Sequence, residues 1–459
     1  MAQVSIQSGV RVRDGAFEIS HPVNLHHKLK DTGVSKGELV STRGALSLGT
    51  GPGIDRGGFN WNGVLYRAMG ASFVRVAADG GVTTLGSIAN DGLPVRFTAG
   101  FDRMAIASAR LLYYYDGTTL VQVTDPDLGP VLDVAWIAGY FATTDGTDIV
   151  VTELNDPTSV DPLKYGSAEL DPDGITGVFI LNEDLAAVGR YTIQFFRNVG
   201  GLGFPFQNIT GATIQQGAIS AQAKCRIGDT LAFVGGGRDE PIGVYLVNQG
   251  TALRVSDEDI DRLLAECIDQ TQIILEGRKF GDEQHLILHA GKVSAGLAMR
   301  ATTEANALLW HRLTTDGGAY RPRNAVYCYD QYNVGDVASA QLGVLRKDLT
   351  AHFGTEAGWQ VDAGLLYGDN DGPTLAFRVM LREVELTGQF PVGKSTPFFS
   401  MTRDGRTWSR EISRPLTGNP RERLIWRPNT DCGPLVGFRF RGYGRYAFAR
   451  CDATVEPLS

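Results

Sequence analysis

The sequence has few cysteines, no long hydrophobic run and no secretory leader pattern. Its five cysteines are far apart and include no Cys-x-x-Cys pair, so neither a disulfide framework nor a cysteine zinc site is expected. No stretch approaches the ~18 apolar residues that a membrane-spanning helix needs. Residues 1–15 lack the apolar segment of a secretory signal. We therefore expect a chain without a membrane segment that folds in a reducing cytosol.

Glycine, by contrast, is abundant. The 459 residues include 57 glycines, about one in eight, and these glycines follow no collagen-like period. Apolar residues make up 43% and charged residues 20%, which is ordinary for a globular chain and argues against disorder. Because glycine supplies the positive-φ positions of tight turns, this composition predicts many short strands joined by many turns.

A hairpin unit recurs from about residue 61. Each copy is an apolar strand, a short turn and a strand of alternating or β-branched residues, repeated at intervals of roughly 35 to 50 residues, the range of propeller blades. The turns of three copies are Asp79-Gly80-Gly81, Asp116-Gly117-Thr118 and Asp145-Gly146-Thr147. Asp-Gly between alternating runs is a strong hairpin signal because both turn positions favour positive φ.

The predicted fold class is all-β. A β-propeller-like domain of repeated hairpin blades is expected over residues 56–355, and an Arg-rich, antiparallel β-sandwich-like C-terminal domain over 356–459. Residues 1–55 are predicted to form an irregular N-terminal arm. One short helix is predicted near 256–267, with Ser256 as its cap and apolar side chains at helical spacing from Ile260 to Cys267.

The charges are unevenly distributed along the sequence. Residues 403–450 hold eleven arginines, no lysine and four acidic residues, a net charge of +7, which leaves −15 for the rest of a chain of net −8. Arginine without lysine suggests bidentate contacts to carboxylates or phosphates; a solvated strand face is the equally weighted alternative. The candidate subunit or DNA contacts are Arg403, Arg406, Arg427, Arg439, Arg441 and Arg445.

Two motifs resemble nucleotide or glycan sites without their structural context. Residues 388–395 satisfy the Walker A pattern, but the residues that follow look like a strand instead of the required helix, so a hairpin loop is expected. Residues 402–408 resemble the Asp box of sialidase-like propellers with one residue missing between Asp404 and Gly405. That box is a structural turn, so the sequence predicts no catalytic residue and no cofactor.

The histidines do not predict a metal site. His285 and His289 lie four residues apart on an expected strand, ~13 Å from each other and too far to share an ion. His26 and His27 are adjacent and point to opposite sides if extended. The acidic cluster 257–261 fits a helix N-terminus better than a calcium loop, since it lacks the required glycine.

Several segments, in order, resemble one family, the packaged-DNA stabilisation proteins or tail hub accessory factors of short-tailed phages. Residues 22–25 and 65–67 resemble its opening, and residues 164–165 followed by 171–175 resemble a later segment. Residues 256–266 resemble its short helix, and residues 285–289 the strand that follows. Residues 398–408, 424–427 and 435–441 are similar to its closing strands. Residues 290–355 match nothing in this series.

The resemblance implies a structural virion protein of the phage tail that is made in the host cytoplasm. It implies about six copies that attach below the portal and adaptor ring, receive the tail needle or spikes, retain packaged double-stranded DNA and form part of the ejection channel. Two alternatives remain open: a sialidase-like propeller enzyme, supported by the imperfect Asp box, and a receptor- or glycan-binding tail module.

Overall fold

The computed structural model describes residues 2–6, 9–13, 15–29, 35–154, 156–168, 173–201, 203–364, 366–367, 379–391, 395–419, 422–432 and 435–457. Within these ranges nearly all of the regular secondary structure is β-strand, and no helix there is long and apolar enough to cross a membrane.

The strands up to residue 122 are β1 Ala2–Val4, β2 Gly9–Arg13, β3 Ala16–Ser20, β4 Leu25–Lys28, β5 Glu38–Ser41, β6 Gly44–Thr50, β7 Asp55–Trp61, β8 Val64–Met69, β9 Ser72–Val76, β10 Val82–Ser87, β11 Arg96–Ala99, β12 Met104–Ser108, β13 Leu111–Tyr115 and β14 Leu120–Gln122. The strands from there to residue 254 are β15 Asp133–Ile137, β16 Tyr140–Thr144, β17 Asp148–Thr152, β18 Val160–Ser167, β19 Ile175–Leu181, β20 Asp184–Gly189, β21 Ile193–Asn198, β22 Phe206–Asn208, β23 Gly217–Ala218, β24 Lys224–Ile227, β25 Thr230–Gly236, β26 Gly243–Asn248 and β27 Thr251–Arg254.

The next strands are β28 Ile273–Phe280, β29 Glu283–Ala290, β30 Val293–Ala298, β31 Trp310–Leu313, β32 Pro322–Cys328, β33 Gln331–Asp336 and β34 Gln341–Arg346. The last strands are β35 Trp359–Asp362, β36 Leu366–Tyr367, β37 Val379–Gln389, β38 Phe398–Thr402, β39 Ile412–Ser413, β40 Leu424–Trp426, β41 Thr430–Cys432, β42 Leu435–Gly442 and β43 Ala447–Pro457. The helices are α1 Glu258–Ala265 and α2 Met299–Ala305, and 3₁₀ turns lie at Ala221–Ala223 and Gln270–Gln272.

Seven antiparallel sheets of the described residues form the blades of a propeller. Blades one to four are β7–β10, β11–β14, β15–β18 and β19–β22, and blades five and six are β23–β27 and β28–β31. The seventh blade combines β32, β33 and β34 with β6 from the N-terminal segment. The first strand of each blade contacts the first strand of a neighbour at most junctions of the ring, so these strands surround the propeller axis.

The core lies between the blades because alternate residues of a strand point to opposite faces. On β12, Met104 and Ile106 pack toward the first blade with Tyr66 and Phe73. Ala105 and Ala107 of the same strand pack in the apolar cluster shared with the third blade. Each blade therefore buries both of its faces, which an isolated hairpin could not do.

The predicted all-β fold of a propeller followed by a sandwich is confirmed. The sandwich consists of one sheet in the order β4-β5-β43-β37-β40, in which β1 also pairs with β43 and β41 with β37, and a second sheet in the order β35-β42-β38-β39, in which β36 pairs with β42. Aromatic side chains from both sheets, including Phe399, Trp426, Phe440 and Phe448, fill the space between them. Sheet-on-sheet packing of this kind buries one face of each strand.

The prediction of an irregular N-terminal arm is wrong. Residues 1–55 contain six complete strands and the start of β7, and they join both parts of the fold. Strand β6 pairs with β34 from Gly44↔Arg346 to Thr50↔Gln341 and closes the propeller ring. Strands β1, β4 and β5 add to the sandwich. Apart from the local pair of β4 and β5, their partners lie some 300 to 450 residues away in sequence, so no local pattern indicates those pairings.

The helix prediction needs two corrections. Asp257, not Ser256, is the N-cap of α1, because its side chain accepts a hydrogen bond from the backbone N–H of Ile260 at 3.0 Å. The Ser256 hydroxyl instead accepts from the N–H of Val244 at 3.0 Å. A second helix, α2, follows β30 and ends at Asn306, whose φ of +50° is a left-handed cap.

Candidate assembly surface and propeller axis

A single carboxylate connects four blades near the axis. Asp133, at the start of β15, accepts hydrogen bonds from Arg96 Nε of the second blade at 3.1 Å and from the Val178 N–H of the fourth blade at 3.1 Å. It also forms an ion pair with Lys224 of the fifth blade. Asp133 and Lys224 are both almost completely buried, and burial lowers the pKa of Lys224 to about 8.

A second group of charges joins the sixth, seventh and first blades. Glu276 of β28 forms an ion pair with Arg278 at 2.8 Å and accepts from the Asn324 N–H of the seventh blade at 2.5 Å. The Asn324 side chain donates to Asp55 of the first blade at 2.8 Å. Asp55 pairs with the fully buried Arg67 at 2.9 Å, although burial raises the pKa of Asp55. Hydrogen-bonded charge pairs thus connect the blade sheets around the axis.

The side chains around Asp133 connect the inner strands of neighbouring blades. Lys224 reaches from the fifth blade to the third, past the fourth blade between them. These contacts therefore fix the second to fifth blades relative to one another. The sequence offered no signal for this, since the partners Asp133 and Lys224 are 91 residues apart.

An N-terminal clasp, residues 20–28, joins the propeller to the sandwich. The Asn24 side chain donates to the carbonyl of Gly358 at 2.7 Å, just before β35, and to that of Thr314 at 3.0 Å, just after β31. Asn24 has φ of +54°, a left-handed conformation that asparagine tolerates better than most residues. The backbone of Val23 pairs with Gln360 of the sandwich on the same segment.

The hairpin of β2 and β3 has one charged face and one apolar face. On the charged face, Arg11 bonds to Asp259 of α1 at 2.9 Å and Glu18 pairs with Arg262 at 2.6 Å, which anchors the hairpin to the helix. The opposite face carries the cross-strand pairs Val10↔Ile19 and Val12↔Phe17. Phe17 is 67% exposed and Ile19 47%. Exposed apolar side chains in adjacent pairs are typical of a surface that a partner covers.

Two of the arginines singled out by the sequence are engaged within the sandwich. Arg439 forms a bidentate pair with the buried Asp362, at 2.6 and 2.8 Å, and its guanidinium lies 3.9 Å from the centre of the Trp408 ring. Arg441 pairs with Glu411 in the same bidentate manner and lies over Phe398. These contacts hold the guanidinium groups against the protein itself.

The other four arginines lie on the surface. Arg427 pairs with Glu383 at 2.9 Å while remaining 66% exposed, and Arg403 donates to the Thr430 hydroxyl at 3.0 Å. Arg406 is exposed, and within the described residues its side chain has no hydrogen-bond or ion-pair partner. Arg445 is exposed at a pocket.

The net charges counted along the sequence, +7 for residues 403–450 and −15 for the rest, are not the net charges of the two parts of the folded protein. Several partners of the arginines, such as Asp362, Glu383 and Glu385, lie just before the counted segment. Over residues 356–459 there are 14 basic and 12 acidic residues, a net charge of +2, which leaves −10 for residues 1–355. The sandwich is therefore nearly neutral, and only the remainder of the chain is strongly acidic.

The nucleotide-like and Asp-box-like motifs lie in strands and turns. The Walker A-like segment begins at the end of β37, and β38 follows it; Lys394 lies outside the described residues. Asp404 accepts hydrogen bonds from the N–H groups of Arg406 at 2.8 Å and Thr407 at 2.7 Å, which lowers its pKa. The Asp404 carboxylate thus holds a turn between Thr402 and Trp408.

The fold brings together two histidines, His26 and His285, that are far apart in the sequence. His289 lies on β29 with His285 but is bonded to Ser294 at 2.9 Å. His26, on β4, instead lies beside His285, with ring centres 5.0 Å apart. Both Nε2 atoms are 3.9 Å from the same oxygen of Glu283. No local pattern indicates this group, because His26 and His285 are far apart in the chain.

The structure is a propeller whose inner strands are linked by buried charges, joined to a sandwich and presenting an exposed apolar hairpin, which are features of a structural protein. Comparison with known families agrees. The family described as the β-propeller of bacteriophage P22 Gp10 matches residues 2–350, and the family described as the P22 Gp10 β-sandwich matches residues 358–456. The chain belongs to the bacteriophage P22 Gp10 family.

A curated relative extends over nearly the same length. The tail hub protein gp10 of Salmonella phage P22 is 25% identical over 460 residues, covering 92% of this chain and 91% of the relative. The protein is thus a structural phage tail hub protein of the virion tail, where it contacts other tail components. The comparisons give no support to a glycan-active enzyme.

Two solved structures match the chain at low similarity. The WD40 domain of Neurospora crassa Pan2 is 9% identical with a TM-score of 0.43, over 66% of this chain and 96% of that one. Hsv2 of Kluyveromyces lactis is 11% identical with a TM-score of 0.35, over 72% of this chain and 96% of that one.

Proposed function

We propose that this tail hub protein assembles as a ring of about six copies below the portal and adaptor, where it receives the tail needle or spikes. In that position it helps to retain packaged DNA and forms part of the channel for ejection. It acts without catalysis, and its copies assemble in the host cytoplasm. The observation that carries the proposal is the match of the propeller and the sandwich to the two bacteriophage P22 Gp10 families.

We propose that the DNA channel lies between copies and not along the axis of one propeller. Arg96, Asp133 and Lys224 hold the inner strands of the second, third and fifth blades together through hydrogen bonds. A ring places one outer surface of every propeller on that channel.

The charge of the propeller suits a channel that DNA passes through. Residues 1–355 carry a net charge of −10. An acidic wall repels phosphates, so it does not retain the duplex by counterion release and binds no particular sequence. Retention then depends on a plug supplied by the needle, and the DNA slides freely once the plug leaves.

Contacts between copies or with neighbouring proteins are proposed at two surfaces. The first is the apolar hairpin face, where Phe17 and Ile19 are exposed next to the anchored charged face. The second is the set of surface arginines, of which Arg406 is the most available because its side chain has no partner in the described part of the chain. Arg439 and Arg441 are engaged internally and are weaker candidates.

Electron microscopy of the purified protein mixed with its portal–adaptor complex tests the proposal. We expect rings of the protein bound to the adaptor face of the complex, with a central opening between copies. Monomers that do not bind the complex, or density at the periphery of the virion tail away from the portal, would contradict it. A peripheral position together with direct binding to host cells would instead favour a receptor-binding module.

A further inference from the structure

We propose that His26, Glu283 and His285 form a zinc site that ties the N-terminal clasp to the sixth blade. This inference concerns how the two parts of the chain are held together and does not depend on the proposed ring. His26 lies on β4, a strand of the sandwich sheet, whereas Glu283 and His285 lie on β29 of the propeller. One ion would therefore connect both parts of the fold.

The three side chains converge through one carboxylate oxygen. Glu283 Oε2 is 3.9 Å from the Nε2 atoms of His26 and His285, and all three ligand atoms lie within 4.8 Å of one another. Zinc holds nitrogen and oxygen ligands at ~2.0–2.2 Å, which places neighbouring ligand atoms ~3.4 Å apart in a tetrahedron. The two 3.9 Å distances from Glu283 Oε2 to the histidine Nε2 atoms would shorten by about half an ångström on zinc binding, which small side-chain movements can supply.

The other oxygen of Glu283 is held by a neighbouring side chain. Lys28 donates to Oε1 at 2.8 Å, which fixes the carboxylate and leaves Oε2 as the ligand atom. Hydrogen bonds of this kind orient metal ligands in known zinc sites. The ammonium group also raises the electrostatic cost of a cation, as does Arg43 in the same pocket.

A fourth histidine lies close to the same point. The ring centre of His311, on β31, is 6.1 Å from the ring centres of both His26 and His285. His311 is 1% exposed, and its Nδ1 has no hydrogen-bond partner in the described part of the chain. A buried imidazole nitrogen without a partner is costly unless something else satisfies it. His311 or a water molecule would complete a tetrahedral set.

The chemical types of the ligand atoms indicate which metal ion the site would bind. Two or three imidazoles and one carboxylate suit zinc and its tetrahedral substitute cobalt, whereas calcium and magnesium prefer all-oxygen ligands. The ligands come from residues more than 250 positions apart, so the site exists only in the folded chain. Zinc binding therefore stabilises the folded protein selectively.

Cobalt titration of the full chain, stripped with chelator, tests the site. We expect one Co²⁺ per chain with the visible absorption bands of tetrahedral cobalt, displaced by Zn²⁺. His26→Gln and Glu283→Gln should lose the bands. His27→Gln is the matched control, because the adjacent residue on β4 points to the opposite face.

Thermal unfolding gives an independent measurement. Zn²⁺ at one hundred times its dissociation constant should raise the Tm of the wild type by a few degrees, and it should leave the Tm of folded His26→Gln unchanged. Circular dichroism checks that each variant is folded. Folded wild type without cobalt bands, or bands unchanged in His26→Gln, would overturn the proposal. A Tm raised by phosphate and not by Zn²⁺ would also overturn it and would indicate an anion site.

Discussion

Asp133 and Lys224 form a buried ion pair that reaches from the third blade to the fifth and passes over the blade between them. The same carboxylate accepts the N–H of Val178 from the intervening blade. Three blades therefore depend on one side chain for their relative positions near the axis.

Lys224→Met is expected to destabilise the propeller strongly. Removing one partner of a buried pair leaves an uncompensated charge and costs about 3–5 kcal/mol. The exposed pair of Arg197 and Asp184 is the control, and Arg197→Met should destabilise the chain far less than Lys224→Met, because solvent screens that pair. Denaturant midpoints of the two variants give the comparison. Equal midpoints would show that Asp133 does not need Lys224.

Phe17→Glu and Ile19→Glu are expected to prevent ring formation without unfolding the chain. Both side chains are exposed on the apolar face of the hairpin, so a charge there costs little in the monomer but is costly in a covered interface. Leu163→Glu is the matched control, since Leu163 is 83% exposed on a propeller blade. Light scattering and electron microscopy measure assembly. Normal rings from Phe17→Glu would exclude the hairpin face as a contact.

Stability is expected to fall as the pH is lowered from 6.5 toward 4. Burial lowers the pKa values of His289 and His352 from 6.5 to about 4 each. Between these pKa values the unfolded chain binds more protons than the folded chain. The free energy of unfolding therefore decreases with falling pH, by up to about 3 kcal/mol for each histidine.

A Tm series between pH 7 and 5 isolates this effect. Carboxylates such as Glu276, whose pKa is lowered in the fold, lose their stabilisation mainly below about pH 4.5. His352→Gln should therefore have a shallower decline in Tm over this range than the wild type. A Tm that is flat from pH 7 to 5 would contradict the prediction.

Arg439→Lys is expected to cost more stability than Arg427→Lys. Lysine cannot reproduce the bidentate contact of Arg439 with the buried Asp362 or the stacking on Trp408, so a loss of roughly 1–2 kcal/mol is expected. Arg427 is largely exposed, and its loss should be below about 0.5 kcal/mol. Thermal midpoints measure both.

Arg406→Gln tests whether Arg406 contacts the portal–adaptor complex, without changing the stability of the chain itself. Because the Arg406 side chain is exposed and has no partner in the described ranges, the variant should unfold like the wild type. Reduced binding to the portal–adaptor complex, with weaker salt dependence, is the expected result if Arg406 is a contact. Unchanged binding would remove Arg406 from the proposed surface.

The repeated hairpins could be predicted because their turn chemistry is local. Gly80, Gly117 and Gly146 have the positive φ expected of them, whereas the aspartates before them do not, so only one of the two expected turn positions is left-handed. The Asp116 and Asp145 side chains accept hydrogen bonds from the next N–H groups in their turns. Alternation on single strands then gave the all-β class and its division into propeller and sandwich.

The remaining features depend on partners distant in the chain. Residues 290–355 resemble none of the segments of the phage tail family, yet they complete the sixth blade and form most of the seventh. The charge count over 403–450 omitted acids such as Glu383, which lies on a neighbouring strand only after folding. The meeting of His26 with Glu283 likewise follows from the clasp, which has no local signature.

The pairing of the first strands with the last ones also governs when this protein can fold. Strand β6 must wait for residues 341–346 before the ring closes, and β1 must wait for residues 451–453. At a synthesis rate of ~5–20 residues per second, the ribosome needs roughly 20 to 90 seconds to deliver them. A truncated chain would have an open ring and an unpaired sheet edge. Only a chain that has been translated nearly to its end can therefore close the propeller, complete the sandwich and join the virus particle.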